Sequence, residues 1–512
     1  MRRTAMAVIG MGCAVGVLAG TSPASAGTAG RSGSSPNASG AVAAAGRLKT
    51  VQYDGYSIAV PSSWPVFDLD TDPAQCVRYD INAVYLGSPG ADQNCLPHLV
   101  GRAETITISD TGGPAAPQPG YGPAAGGGLG TGVPAGSAGS SAGSVPAALS
   151  GLDQYSQEQE FQGAVAHSSL SVTGTYGGDA SQVESIIRGI RKLPATAGGA
   201  PARDTAAGTG GPARTRLLRA VRSRASARAP SPRARVPSRP LDGFDTCTAP
   251  SLGAMHAWRA RYSAAAVYIG GLNMACDYGN LSASWVRSAH SMGWSLLPVY
   301  VGLQAPCNSF SAKIDPRYAS HQARGAADTA INDAINFGMR RGTPIYFDME
   351  GYNTSNAACS HAVLTFLDAW TRELHDHGYV SGVYSSASAG IAGLVRTSAI
   401  NAHPFAEPDA VWFALWDGHD NLLGAPYVPA RRWAHDRDKQ YAGNQRQRNG
   451  GYTLGIDCDR VYGAVSAPLP GGRAGVPASC LPPIRAGGRG GPSAAAHTSS
   501  VTCRGPRAAR RA

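Results

Sequence analysis

The chain has 512 residues with 66 Gly, 36 Pro and a formal net charge of +11, so it exceeds one ordinary domain and spends part of its length on linkers. The charge is concentrated: residues 203–239 hold ten Arg against one Asp, residues 472–512 hold seven Arg and no acid, and the remainder is close to −5. That excludes nucleic acid as the partner of the folded parts; the two basic arms fit either solvated spacers or contact with anionic envelope polymers such as teichoic acids or lipid headgroups.

The chain opens with Arg2-Arg3, an apolar run from Ala5 to Ala19 and the small-residue ending Ala24-Ser25-Ala26. This pattern predicts a secretory signal peptide over residues 1–26. Arg2-Arg3 leaves general secretion and twin-arginine export both open, although its flanks fit the latter poorly. Cys13 lacks the Leu that a lipoprotein signal wants and belongs to the apolar run. No later stretch reaches the ~18 apolar residues of a membrane helix. The expected location is extracellular or at the cell envelope, and the expected state is a monomer.

After a Gly/Ser/Ala stretch over residues 27–46, residues 47–193 read as a small α+β module. VQYDGYSIAVPSSW, CVRYDINAVYLG, AETITISD and SSLSVTGTY are strand-like, and SQVESIIRGIRKL is helix-like. A Gly/Pro-rich loop over 111–148 interrupts it. Nothing in this module assigns it a function. An Arg/Pro-rich linker over 194–240 follows, and a basic tail over 464–512 ends the chain.

Nine of the 10 cysteines remain once Cys13 is removed, in a compartment where disulfides persist. Neighbours in sequence suggest Cys76 with Cys95, Cys247 with Cys276, Cys307 with Cys359 and Cys480 with Cys503, leaving Cys458 free. Spacing alone does not fix this connectivity.

From Leu241 to Gly463 strands and helices alternate, which predicts parallel strands with crossover helices. The strands are LDGFD, AAVYIGG, SLLPVYVG, PIYFDME, VSGVYSS, AVWFALWDG, RWAHDRDKQY and LGIDCDRVYG. Tyr318 to Met339 and His361 to Leu374 have helical spacing, the latter ending at Gly378 as a cap. Eight strands in this length predict a (β/α)8 TIM-type barrel. No Gly-rich phosphate fingerprint follows the first strand, so a dinucleotide cofactor is not expected.

In such a barrel chemistry collects at the carboxyl ends of the strands. Asp245 ends the first, Asp348 and Glu350 the fourth, Tyr384 and Ser385 the fifth, and Trp416 and Asp417 the sixth. Gln440 and Tyr441 end the seventh, and Asp457 with Asp459 the eighth. Asp348 and Glu350 lie two apart on a strand and share a face, with Cα atoms ~6 to 7 Å apart. An isolated acidic pair is usually a solvated start to a loop; acids and aromatics at five further strand ends favour a sugar site, where carboxylates do acid–base work and rings cover the C–H face of a pyranose. No Cys-x-x-Cys or His-rich cluster is present, so no metal is expected. His375 and His377 raise a metal-dependent amidase, but they read as helix-terminus histidines.

The motifs DGFDTCTAPS (242–251), VYIGG (267–271), IYFDMEG (345–351), GVYSS (382–386), WFALWDG (412–418) and KQYAG with LGIDCDRVYG (439–463) carry a resemblance. Residues 241–463 resemble a secreted glycoside-hydrolase-like family first catalogued as domain of unknown function 1906. That family is similar to the family 25 lysozymes, or muramidases. The resemblance implies cleavage of a β-1,4 glycosidic bond in cell-wall peptidoglycan, with Glu350 as general acid and Asp348 assisting through the substrate N-acetyl group or by stabilising positive charge. Asp245 would hold the pair and Asp457 would close the far side, with Asp459 as its substitute. Tyr384, Trp416, Asp417, Gln440 and Tyr441 would bind the glycan. Repulsion among the acids and partial burial would keep Glu350 protonated near neutral pH. The alternative is a non-catalytic polysaccharide-binding protein on the same barrel. An open groove with convergent carboxylates would favour the enzyme; a plugged one would count against it.

Overall fold

A computed structural model describes residues 47–110, 153–155, 159–165, 168–177, 180–194, 235–400 and 404–466. The expected signal peptide, the 111–148 loop, most of the Arg-rich linker, the tail beyond Ser466 and the Cys480–Cys503 pairing lie outside them. No helix among the described residues is long and apolar enough to cross a membrane.

The N-terminal module is β-rich. Strands β1 (Leu48–Tyr53) and β2 (Tyr56–Pro61) form a hairpin, joined antiparallel by β9 (Arg191–Lys192). Asp54 and Gly55 both have positive φ, +45° and +76°, the geometry a two-residue hairpin turn requires. A six-stranded sheet runs in the order β3 (Val66–Asp68), β4 (Ala83–Leu86), β5 (Thr105–Asp110), β8 (Leu170–Thr175), β7 (Glu160–Ala164), β6 (Asp153–Tyr155). Alternation on β2 buries Tyr56, Ile58 and Val60 against Val183, Ile186 and Ile187 of helix α1 (Ser181–Arg188), whose spacing of three and four places them on one helical face.

The C-terminal domain is a closed eight-stranded barrel: β10 (Leu241–Asp245), β11 (Ala264–Gly270), β12 (Ser295–Tyr300), β13 (Pro344–Met349), β14 (Val380–Ser386), β15 (Ala410–Ala414), β16 (Arg437–Asn449) and β17 (Tyr452–Val461). Helices α2 (Leu252–Trp258), α3 (Ala283–Ser291), α4 (Ala319–Asn336), α5 (Ala357–Asp376) and α6 (Ala392–Ile400) follow the first five strands. Strand β13 is buried along its whole length because both faces are covered, and all of its residues but Asp348 and the Tyr346 hydroxyl are apolar. Its outward Phe347 packs on Phe366 and Trp370 of α5, at ring separations of 4.8 and 5.0 Å. Truncating Phe366 to Ala would cost about 3–5 kcal/mol.

The expected (β/α)8 pattern is corrected at its end. Among the described residues no helix separates β15 from β16, and β17 runs antiparallel to both β16 and β10. The cause is local: Gly450 and Gly451, with φ of +56° and +94°, turn β16 back on itself in two residues, and a two-residue turn joins only antiparallel strands. Ala464 to Ser466, expected in the tail, instead extend the fold, with Ser466 bridging to Leu296 at the start of β12.

The disulfides Cys76–Cys95, Cys247–Cys276 and Cys307–Cys359 form as expected. Cys458, expected to be free, is also disulfide-bonded, and its pairing falls outside the described residues.

Candidate active site

Inward positions at the carboxyl rim bring the expected acids together. Asp245 ends β10 and pairs in register with Asp457 of β17, because the antiparallel course of β17 carries Asp457 to that rim and leaves Asp459 beside Gly243, one step deeper. Asp459 accepts the indole N–H of Trp412 there, at 3.0 Å. A bulge in β16 gives Asn444 a φ of +55° and aims its N–H at Asp457, 2.6 Å away. Asp348 lies inward near the end of β13, and Glu350 follows one residue beyond.

Two glutamines hold this rim. Gln440 Nε2 donates to Asp245 at 2.9 Å, while its Oε1 accepts from Tyr384 Oη at 3.0 Å and from Trp416 Nε1 at 2.8 Å. Gln304 clamps the backbone of the acidic pair, donating to the carbonyl of Asp348 and accepting the N–H of Glu350, both at 2.8 Å. Trp416 remains 54% exposed and its ring lies over Gly443, where a Cβ would meet it at 2.2 Å. The Cys307–Cys359 bond ties the loop after β12 to the start of α5.

Two of the expected binding residues face elsewhere. Asp417 accepts from the fully buried Lys439 at 2.8 Å and so serves as its counter-ion. Tyr441 follows the inward Gln440 by one residue and points to the opposite face. His375 and His377 end α5 next to Gly378, whose carbonyl accepts from Gly342 just before β13 begins; they lie at the opposite rim from the acids.

A residue from the N-terminal module completes the site. The His98 ring enters the barrel mouth with Nε2 2.7 Å from Glu350 Oε1, Nδ1 2.8 Å from Tyr268 Oη, and Asp348 Oδ2 at 4.0 Å. Burial opposes a charge on His98, but Glu350, Asp348 and Asp245 outweigh it and hold the imidazole well above its usual range.

The expectation that Glu350 carries the proton is overturned by this contact. Burial pushes the Glu350 carboxyl upward, but the charge and hydrogen bond of His98 bring it below the ordinary value. Asp348 moves the other way, far above the carboxylate range, through burial and then the charge of Glu350; neither of its oxygens meets a hydrogen-bond donor. Burial and the neighbouring Asp245 push Asp457 up to about 8. Burial likewise raises Asp245.

Single donor atoms of His98, Asp348 and Glu350 lie within 4.8 Å of one another, as do those of His98, Asp245 and Asp457. The 2.7 Å between His98 and Glu350 is a hydrogen-bond distance. Two ligands on a tetrahedral ion would stand about 3.3 Å apart, so this contact is a proton-sharing pair.

Sequence reasoning missed His98, Tyr268 and Gln304. Tyr268 shares its inward parity with Ala264 and Ala266 in β11, which was the available signal. His98 had none, because its partner lies 252 residues away.

Residues 256–461 match the family model of the Rv2525c-like, glycoside hydrolase-like domain. The resemblance read from the C-terminal motifs therefore holds for residues 256–461, which leave out β10. Among solved structures the chain is similar to an uncharacterized B. stearothermophilus protein at 16% identity, covering 43% of this chain and 95% of that one with a TM-score of 0.31. It is also similar to the modular autolysin LytC from Streptococcus pneumoniae, at 14% identity, 44% and 47% coverage and a TM-score of 0.29. A third is the catalytic domain of endolysin ply40 from bacteriophage P40 of Listeria monocytogenes, at 11% identity, 44% and 94% coverage and a TM-score of 0.28. The chain spans about half the length of LytC. No curated protein matches it.

Proposed function

We propose that the barrel is a secreted glycoside hydrolase acting on cell-wall glycan, of the muramidase kind that the sequence resemblance implies. The observation that carries this reading is the convergence of Asp245, Asp348, Glu350 and Asp457 at one rim beneath the exposed Trp416. Glu350, 24% exposed, is the less buried member of the acidic pair. In its protonated form it gives that proton to the glycosidic oxygen as the C1–O bond breaks. The N-acetyl carbonyl oxygen of the substrate closes on C1, with Asp348 orienting that N-acetyl group. Water then adds at C1 as the bond from C1 to the N-acetyl oxygen breaks and the N-acetyl group is restored, with Glu350 taking a proton from the water.

The His98–Glu350 contact favours a second reading, a non-catalytic wall-binding protein, because an ionised Glu350 donates no proton. The discriminating assay is release of reducing ends or soluble muropeptides from purified cell walls by the whole chain, with Glu350→Gln as control. Release by the wild type or by a His98→Ala chain, abolished by Glu350→Gln, supports the hydrolase. Sedimentation with walls and no release from either supports the binder. The basic arms at 203–239 and 472–512 would add salt-sensitive attraction to anionic wall polymers.

A further inference from the structure

The segment from Asp92 to Arg102 is fitted to the barrel mouth by directional contacts along its whole length. The Asp92 carboxylate accepts from the N–H and hydroxyl of Ser251 at 2.9 and 2.8 Å, at the start of α2. Gln93 donates to Asp277 at 2.8 and 3.0 Å, and its carbonyl oxygen accepts from Val77. Gly101 donates to the carbonyl of Asn273, Val100 bridges to Met274, and Arg102 donates to the carbonyl of Gly271 at 2.8 Å. Cys76–Cys95 closes the base of the segment.

At its centre the His98 ring sits among four carboxylates from three different barrel strands and the end of β13. It lies beside Tyr384 and Tyr268, at centroid distances of 5.8 and 6.1 Å. Both oxygens of Asp348, Oδ1 of Asp245 and Oδ2 of Asp457 are buried and have no donor. Three of these acids, Asp245, Asp348 and Asp457, are under 2% exposed and each has an oxygen that no N–H or O–H of the surrounding protein reaches, so the cage suits a group that donates hydrogen bonds and carries the positive charge that Glu350 pairs with. An imidazolium, which donates from both nitrogens, satisfies Glu350 and Tyr268 together.

We propose that this cage is a cation slot, placed where positive charge develops on a sugar at cleavage, and that the chain's own His98 fills it so that glycan enters only when the Asp92 to Arg102 segment lifts. The inference rests on the glycan reading for the identity of the incoming ligand, but not for the slot. His98 thus stands in for the charge of the reacting sugar. The N-terminal module then acts as a cap on the barrel that follows it.

Removing the ring while leaving the cage tests this directly, with imidazole as the probe. In the whole chain carrying His98→Ala, calorimetry should show one imidazole bound per chain where the wild type binds none. Adding Glu350→Gln should weaken that binding at least 10-fold. His98→Ala should also bind tetra-N-acetylchitotetraose at least 10-fold more tightly than the wild type, with imidazole competing. His98→Gln, which keeps the bulk without the charge, gives the same comparison should the Ala chain fold poorly. The proposal is overturned if neither variant binds imidazole, if Glu350→Gln leaves imidazole binding unchanged, or if tetrasaccharide affinity falls or stays level when His98 is removed. Gains in both affinities without any release from cell walls would uphold the slot while refuting the hydrolase.

Discussion

Asp438 and Asp348 are both fully buried inward aspartates of one barrel, yet their surroundings are opposite. Asp438, where β16 begins, accepts from Tyr346 Oη at 2.9 Å and from the N–H groups of Tyr462 and Gly463 at 2.8 and 2.7 Å. Asp348, at the other rim, accepts from nothing. The first is the usual solution for a buried acid, in which converging donors offset lost hydration. The second has no N–H or O–H donor from the surrounding protein, which is the setting that the proposed site would need at a strand's carboxyl end beside a second acid. The same fold therefore holds one carboxylate for structure and keeps another poised.

The largest expected effect separates these roles in catalysis. In the His98→Ala chain, Glu350→Gln should lower reducing-end release by about 10²–10⁴-fold, the usual worth of a general acid. Asp438→Asn in the same chain should leave release within about two-fold per folded molecule, since that side chain lies at the far rim. Equal losses from the two substitutions would erase the distinction. Stability should give the reverse order: in Asp438→Asn the amide oxygen can still accept from Tyr462 and Gly463, but the NH₂ replaces the oxygen that accepts from Tyr346, and the change should cost about 1–3 kcal/mol. Asp348→Asn adds no unmet acceptor and should stay within about 1 kcal/mol of the wild type in chemical unfolding.

What could be read from the sequence follows the same division. Asp245, Asp348, Glu350 and Asp457 were legible because strand ends and period-two alternation are local patterns. Gln440 was legible as a strand-end residue, though not its grip on Asp245, Tyr384 and Trp416 at once. The antiparallel closure by β17 was written in Gly450-Gly451, a hairpin signal hidden by the expectation of one more crossover. The protonation of Glu350 was not legible. It depends on His98, which reaches the site through a disulfide-closed segment of another module, and contacts of that range leave no periodic trace.

The smallest expected effect concerns pH and tests whether the burial cost at the mouth is as unrelieved as the geometry implies. Burial raises Asp457 to about 8, Asp438 to about 7 and Asp277 to about 6, against ordinary values near 3.8. The folded chain therefore keeps protons that the unfolded chain releases, and stability must fall as pH rises from about 4 to about 8. His98 adds to the same trend: its raised imidazole stabilises fully below about 6.5 and loses that contribution as pH climbs through the folded value. Glu350 is depressed, so its stabilisation is present above about 4.5 and fades only in acid below this window. Melting temperature should thus drop by several degrees between about pH 5 and pH 8. Asp457→Asn should flatten the upper part of that decline, because Asp457 titrates above Asp438 and Asp277, whereas Asp438→Asn should flatten its middle. A melting temperature that holds level or rises across this interval would mean that the mouth acids are hydrated in solution, and the contrast between the two rims would fail.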